Sequence, residues 1–187
     1  TNVASGEALV RQFLVGKRFF RDEFGVDNKI MWLPDVFGYS AAIPQLIKKC
    51  GMEYFMTTKI SWNEYNKFPY DTFKWRGIDG TEVLSHFPPS CHATVNEREN
   101  WQTTYNSKLR PLYVIGGYKR YSQKDLGKDY LMSYGFGDGG GGPTIEMLEY
   151  GKRMAKGIQG CPVVKQSSSL DFFRNLEKQV EGNKRLP

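Results

Sequence analysis

The order of secondary-structure signals in residues 30–57 is the feature that most restricts the fold of this 187-residue chain. Residues 30–33 form a short apolar run typical of a buried strand, residues 41–49 have a helical pattern, and residues 54–57 form a second strand-like run. Two strands joined through a helix by short connections are typical of parallel β/α units. The sequence therefore predicts an α/β fold.

Further segments extend this alternation along the chain. A helix is predicted at residues 6–24, because Ser5 can cap its start, Gly25 can end it and its apolar residues recur at helical spacing. The other predicted elements are strands at 82–87, 130–134 and 161–166, and helices at 97–108, 143–156 (beginning with Pro143) and 167–179. The alternation favours a parallel barrel or an open parallel sheet.

The distribution of charge and hydropathy argues against nucleic acid and membrane as partners. The net charge is +6, but the basic residues are spread along the chain beside acidic ones instead of forming a stripe. No segment approaches the roughly 20 apolar residues of a membrane span. We therefore expect neither a nucleic acid nor a membrane as partner, and homo-oligomerisation stays open.

The cysteines indicate a reducing compartment. Cys50, Cys91 and Cys161 are odd in number and far apart, so they match neither a disulfide framework nor a CxxC metal clip. No signal peptide is visible, and a cytoplasmic location is expected. The chain has no initiator methionine, which suggests a piece of a longer protein.

Two aspartates follow predicted strands. Asp35 lies in "MWLPDVFGYS", two residues past the first strand, and Asp138 lies in "SYGFGDGGGGPT", four residues past the strand predicted at 130–134. Chemistry in parallel β/α folds sits at the carboxyl ends of strands, so both should project from one face. Two carboxylates in one pocket suit glycosidic bond cleavage, with one as nucleophile and the other as general acid and base. Spacing alone favours a turn-forming role for each aspartate over catalysis, and Asp35 can also be a helix cap.

Other patterns carry less chemistry. The glycine run 139–142 is followed by Pro143 and no lysine, which excludes a P-loop. His86 and His92 match no zinc-binding spacing, and His86 is expected to face a core or a pocket from its strand. Trp32, three residues before Asp35, is the tryptophan expected to face a pocket.

Two long motifs resemble one family. The stretch "WLPDVFGYSAAIPQLIKKCGMEYFMTTKISWNEYNKFPYDTFKWRGIDG" and the later "GDGGGGPT" resemble the α-mannosidases of glycoside hydrolase family 38, in its cytosolic and bacterial branch. The resemblance runs from "SGEALVRQFLVGKRFF" to "NKRLP" and is weakest at residues 88–110. It implies a fragment of a distorted parallel β/α barrel of the seven-stranded type. Residues 1–187 would be the central portion of a single catalytic domain, with its flanking segments missing.

The resemblance also implies a reaction and its residues. The family's Trp-x-x-Asp-x-Phe-Gly motif makes Asp35 both the nucleophile and a ligand of Zn²⁺ in a retaining enzyme that removes terminal mannose from α-mannoside glycans. The glycine loop makes Asp138 the general acid and base, and Trp32 and Lys59 are implied as substrate-binding residues. The family's other zinc ligands, a His-x-Asp motif and a further histidine, have no match here and are expected outside this chain.

Two expectations make these assignments testable. The carboxyl groups of a retaining pair should lie roughly 5 Å apart, so Asp35 and Asp138 should meet over one bound sugar. The alternative function is a non-catalytic carbohydrate-binding or interaction fragment of the same fold, which would bind sugar without turnover.

Overall fold

The computed structural model describes residues 2–61, 65–66, 68–90, 105–137 and 140–187. Within these ranges there are five α-helices and a four-stranded sheet of order β1-β2-β4-β3. The elements, in chain order, are α1 Gly6–Phe24, β1 Ile30–Trp32, α2 Ile43–Lys49, β2 Tyr54–Met56, β3 Thr72–Arg76, β4 Glu82–His86, α3 Pro111–Arg120, α4 Ile145–Ala155 and α5 Ser169–Val180. No helix in this part of the chain is sufficiently long and apolar to cross a membrane.

The sheet is mixed. Strands β1, β2 and β4 run parallel, with Ile30 opposite Tyr54 and Tyr54 opposite Leu84. The predicted parallel unit at residues 30–57 is therefore confirmed. Because the three strands are parallel, their carboxyl ends lie at the same end of the sheet. A seven-stranded barrel stays a prediction, because the described strands form only this sheet.

Strand β3 was not predicted, and it pairs antiparallel with β4. A tight turn joins the two strands: Gly77 N donates to Thr81 O at 2.9 Å, and Asp79 accepts from the Thr81 backbone N–H at 3.0 Å. Gly80 takes a left-handed conformation with φ of 84°, which glycine adopts without steric cost.

Helices cover both faces of the sheet, because side chains alternate along each strand. Phe55 points to one face and joins a core with Ile43 and Ile47 of α2. Tyr54 and Met56 point to the other face and pack against α5. A third cluster joins α3 and α4 through Leu109, Val114, Met147 and Met154. The site described below lies at the carboxyl ends of the parallel strands.

The helix boundaries largely follow the capping signals. Ser5 Oγ accepts from Ala8 N at 3.2 Å and Gly25 has φ of 65°, which confirms the helix predicted at 6–24. The helix predicted to begin with Pro143 begins at Ile145 instead. Thr144 is its cap, because its hydroxyl accepts from Met147 N at 3.2 Å. The helix predicted at 41–49 begins two residues later than expected.

Two predicted strands are wrong. Residues 130–134 form no ladder: Tyr134 makes one isolated bridge with Ser107, and the Leu131 backbone N–H is taken by a histidine side chain, as described below. Residues 161–166 contribute only the bridge of Cys161 with Ile158. Both segments pack partly buried apolar side chains against the cores without forming a ladder. An apolar run in the sequence does not distinguish such a segment from a strand.

The region between β4 and the glycine loop also differs from the sequence prediction. Helix α3 was not predicted, and it begins with a proline, a residue favoured at the first helical position. Of the helix predicted at 97–108, only residues 105–108 are described, and they are not helical. The remainder of that prediction lies outside the described residues.

Candidate active site

Asp35 stands on a turn at the carboxyl end of β1. Leu33 N donates to Met56 O at 3.0 Å, which extends the pairing of β1 and β2 by one residue before the chain turns at Pro34 and Asp35. The Asp35 side chain is 53% exposed. A carboxylate is therefore presented to solvent at the edge where parallel β/α folds carry their chemistry.

Lys59 brings a buried positive charge to this carboxylate. It follows β2, the parallel neighbour of β1, and its Nζ lies 3.0 Å from Asp35 Oδ1. Its side chain is only 7% exposed. The ammonium also lies 5.2 Å from the ring centroid of Phe37 and 5.4 Å from that of Tyr105, both within cation–π range. The structure thus brings together two of the sequence-predicted site residues, Asp35 and Lys59.

Three hydroxyl groups contact the loop that carries Asp35. Tyr39 donates to Leu33 O at 2.7 Å and lies 2.6 Å from Thr57 Oγ1, while Thr58 donates to Pro34 O at 2.6 Å. Burial raises the pKa of the Tyr39 hydroxyl, the Thr57 hydrogen bond lowers it, and the negative charge of Asp35 raises it further. Sequence reasoning did not identify these residues, although paired threonines directly after a strand were a visible signal.

Trp32 is the last residue of β1. It is 38% exposed, whereas Met31 before it is buried, as expected from the alternation along a strand. Its ring is therefore accessible at the same end of β1 as Asp35. Its predicted role in substrate binding stays a prediction.

Residues 135–137, which begin the glycine loop 135–142, approach the same region, and Asp138 lies outside the described residues. Gly135 N donates to Ser107 O at 3.0 Å, and a Cβ on Gly137 would lie 2.6 Å from Asn106 Nδ2. Asn106 follows Tyr105, whose ring faces the Lys59 ammonium. The described base of the loop therefore packs beside the residues that enclose Lys59. The meeting of Asp138 with Asp35 stays a prediction.

His86 is a core residue whose two ring nitrogens are both engaged. Its Nε2 accepts from Leu131 N at 3.2 Å, so the proton is on Nδ1, which donates to Thr72 Oγ1 at 2.9 Å. The ring packs against Phe172 at 4.8 Å between centroids. Complete burial lowers the pKa of His86 to about 3. It is a neutral structural residue, and its location in a core confirms one of the two predicted environments.

The described residues do not form a zinc site by themselves. Among them, no three His, Cys, Asp or Glu side chains cluster as metal ligands would. His92 and Cys91 lie outside the described residues. Asp35 is exposed and carries the right donor type, but zinc sites normally need three or four protein ligands. The described residues therefore supply at most part of such a site.

Comparison with known families agrees with this arrangement. Residues 1–187 match the family described as "Glycosyl hydrolases family 38 N-terminal domain". The chain belongs to glycosyl hydrolase family 38. The resemblance seen in the motifs around Asp35 and in the glycine loop is thereby confirmed.

Relatives in this family are similar over most of the chain. Alpha-mannosidase G of Dictyostelium discoideum is 44% identical over 176 residues, which are 94% of this chain and 15% of that protein. Alpha-mannosidase of Saccharomyces cerevisiae is 45% identical over 82% of this chain and 13% of its own length, and Alpha-mannosidase 2C1 of Homo sapiens is 43% identical over 96% and 16%. The chain thus spans about one-sixth or less of the length of these family 38 relatives.

Proposed function

We propose that the protein to which this chain belongs hydrolyses terminal α-linked mannose from glycans and retains the configuration at the anomeric carbon. Membership of glycosyl hydrolase family 38 and the names of the relatives support a glycosidase that acts on α-mannosides. The observation that carries the proposal is the ion pair of exposed Asp35 with buried Lys59 at the carboxyl ends of two parallel strands.

In the proposed mechanism, Asp35 is the nucleophile. Its ion pair is made through Oδ1, so Oδ2 is the oxygen expected to attack the anomeric carbon as the bond to the leaving oxygen breaks. Asp138 would protonate that leaving oxygen and then take a proton from the water that hydrolyses the glycosyl ester. A charge-assisted bond from Lys59 would hold the Asp35 carboxylate in one orientation, and Lys59 and Trp32 would contact the sugar.

We propose Zn²⁺ as cofactor, with Asp35 as one ligand and the remaining ligands outside this chain. When bound, zinc would act as a Lewis acid that orients the sugar hydroxyls. The observation that supports the proposal is the exposure of the Asp35 carboxylate, an oxygen donor of the type that zinc accepts.

Removal of zinc gives the first prediction. Dialysis of the complete protein against a zinc chelator should lower hydrolysis of an aryl α-mannoside at least about tenfold, and added Zn²⁺ should restore it. Elemental analysis should find less zinc in an Asp35→Ala variant than in the wild type. Full activity with no bound metal would contradict the zinc proposal, and sugar binding without turnover would favour the non-catalytic alternative.

Neutralising Lys59 gives the second prediction. Lys59→Met keeps most of the side-chain length but removes the charge next to Asp35, and kcat/KM should fall about 10- to 100-fold, as for the loss of a hydrogen bond to a charged group. Lys29→Met is the matched control, because Lys29 pairs with Asp27 and Glu53 near the opposite end of β1. An equal effect of both substitutions would contradict a specific role for Lys59.

The proposal extends to fold and location. We propose that β1, β2 and β4 belong to a distorted parallel β/α barrel of the seven-stranded type, which their parallel pairing supports. We also propose a cytoplasmic location, which the free thiols of Cys50 and Cys161 support.

A further inference from the structure

The two peptide carbonyls immediately before Asp35 are both bound by side-chain hydroxyls. Tyr39 donates to Leu33 O at 2.7 Å, and Thr58 donates to Pro34 O at 2.6 Å. The Pro34 carbonyl belongs to the planar peptide bond that leads into Asp35. Holding this peptide plane therefore holds the Cα of Asp35, the atom from which the carboxylate side chain projects.

The order of donors and acceptors among these hydroxyls is determined. Tyr39 has one hydroxyl proton, which goes to Leu33 O because a carbonyl can only accept. Thr57 Oγ1 lies 2.6 Å from the same phenol oxygen, so Thr57 is the donor in that pair. Tyr39, Thr57 and Thr58 thus form a hydroxyl clamp, in which each hydroxyl has a partner in or beside the Asp35 loop.

Packing against the sheet holds the members of the clamp in place. Thr57 and Thr58 directly follow β2 and are completely buried, at 0% and 1% exposure. The Tyr39 ring packs edge-on against Phe55 with centroids 4.9 Å apart, and also against Trp75 at 6.2 Å. Asp35, in contrast, is half exposed on its turn. The buried residues of the sheet thereby hold the loop that carries the exposed Asp35 carboxylate.

We propose that Tyr39 and Thr58 are positioning residues for the nucleophile, acting through the backbone that leads into Asp35. This inference rests on the proposed function. Attack at an anomeric carbon requires near-attack distances of about 3–3.5 Å, and a misplacement of about 1 Å can cost 100-fold in rate. Lys59 holds one carboxylate oxygen, whereas the hydroxyl clamp holds the main chain from which the carboxylate projects.

The test uses the complete protein with Tyr39→Phe and Thr58→Val, which remove a hydroxyl while keeping the ring or the branched shape. Both variants should lower kcat for an aryl α-mannoside about 10- to 100-fold and leave KM within about twofold, because substrate contacts remain. Thr58→Ser, which keeps the hydroxyl, should restore kcat close to the wild-type value. Peptides covering residues 33–39 should exchange amide hydrogens faster in the two impaired variants.

Tyr54→Phe is the matched control. Tyr54 is a buried β2 tyrosine whose hydroxyl donates to Glu177 at 2.7 Å on the opposite face of the sheet. Its removal should lower stability without lowering kcat. The inference is overturned if Tyr39→Phe and Thr58→Val reduce kcat no more than Tyr54→Phe does, or if exchange in residues 33–39 is unchanged. A wild-type protein that hydrolyses no α-mannoside would refute the proposed function, and amide exchange would still decide whether the clamp fixes the loop.

Discussion

Asp35→Asn in the complete protein should lower kcat for an aryl α-mannoside at least about 10³-fold, because a neutral amide cannot form the glycosyl ester. The substitution preserves size, so the turn at Pro34 and the contacts of the hydroxyl clamp should persist. Initial rates at saturating substrate measure the effect. Asp22→Asn on α1, an exposed residue paired with Arg21, should leave kcat unchanged.

Two further measurements separate the roles of the two aspartates. NMR of the first-formed product should show α-mannose, since double displacement retains configuration. Asp138→Asn should impair natural glycosides more than aryl mannosides with good leaving groups, because only the former need protonation of the leaving oxygen. Asp35→Asn activity within tenfold of the wild type would rule out Asp35 as nucleophile.

Lowering the pH from 7.5 to 5 should cost the native protein about 2 kcal/mol of stability through His86 alone. Burial lowers the pKa of His86 to about 3 in the folded state, against the ordinary histidine value of 6.5. Between pH 6.5 and 3, His86 is protonated in the unfolded chain but neutral in the native state. The free energy of unfolding therefore declines as the pH falls from about 6.5 towards 3. Well above pH 7, His86 is neutral in both states, so it contributes no pH dependence to the stability.

His86→Gln tests this linkage. Glutamine cannot titrate but can still accept from Leu131 N and donate to Thr72, so the variant should keep most of the local contacts. Urea unfolding followed at several pH values should show a shallower loss of stability below pH 6.5 in the variant than in the wild type. Parallel pH profiles for the two proteins would show that His86 is not the responsible group.

Part of the fold could be predicted because its determinants are local in sequence. Short connections and buried runs at residues 30–57 specify a parallel unit, and Ser5 and Gly25 specify the ends of α1. The strand predicted at 82–87 is confirmed as β4, whereas β3 was missed because Lys74 and Arg76 interrupt its apolar pattern, although the Asp79-Gly80 turn signalled a hairpin. Residues 130–134 were mistaken for a strand because their hydrogen-bond partner is a side chain distant in sequence.

The candidate site also contains residues that the sequence predicted and residues that only the structure revealed. Asp35 follows β1 directly, and motif resemblance added Lys59, whose approach to Asp35 follows from the pairing of β1 with β2. The contacts of Tyr39 with Thr57 and of Thr58 with Pro34 depend on how side chains meet across folded elements. The paired threonines are visible in the sequence, but their contacts with the Asp35 loop are not, so the hydroxyl clamp was recognised only in the structure.

The close packing of Gly137 on Asn106 has a consequence for engineering. A methyl group at position 137 would come within 2.9 Å of the asparagine Cβ, so the two segments cannot be redesigned separately. A chimera that receives the glycine loop from one homologue should also receive the matching residues 105–106, so that the contact between the two segments is kept. We therefore expect an exchange of either segment alone to disturb this contact, and an exchange of both together to keep it.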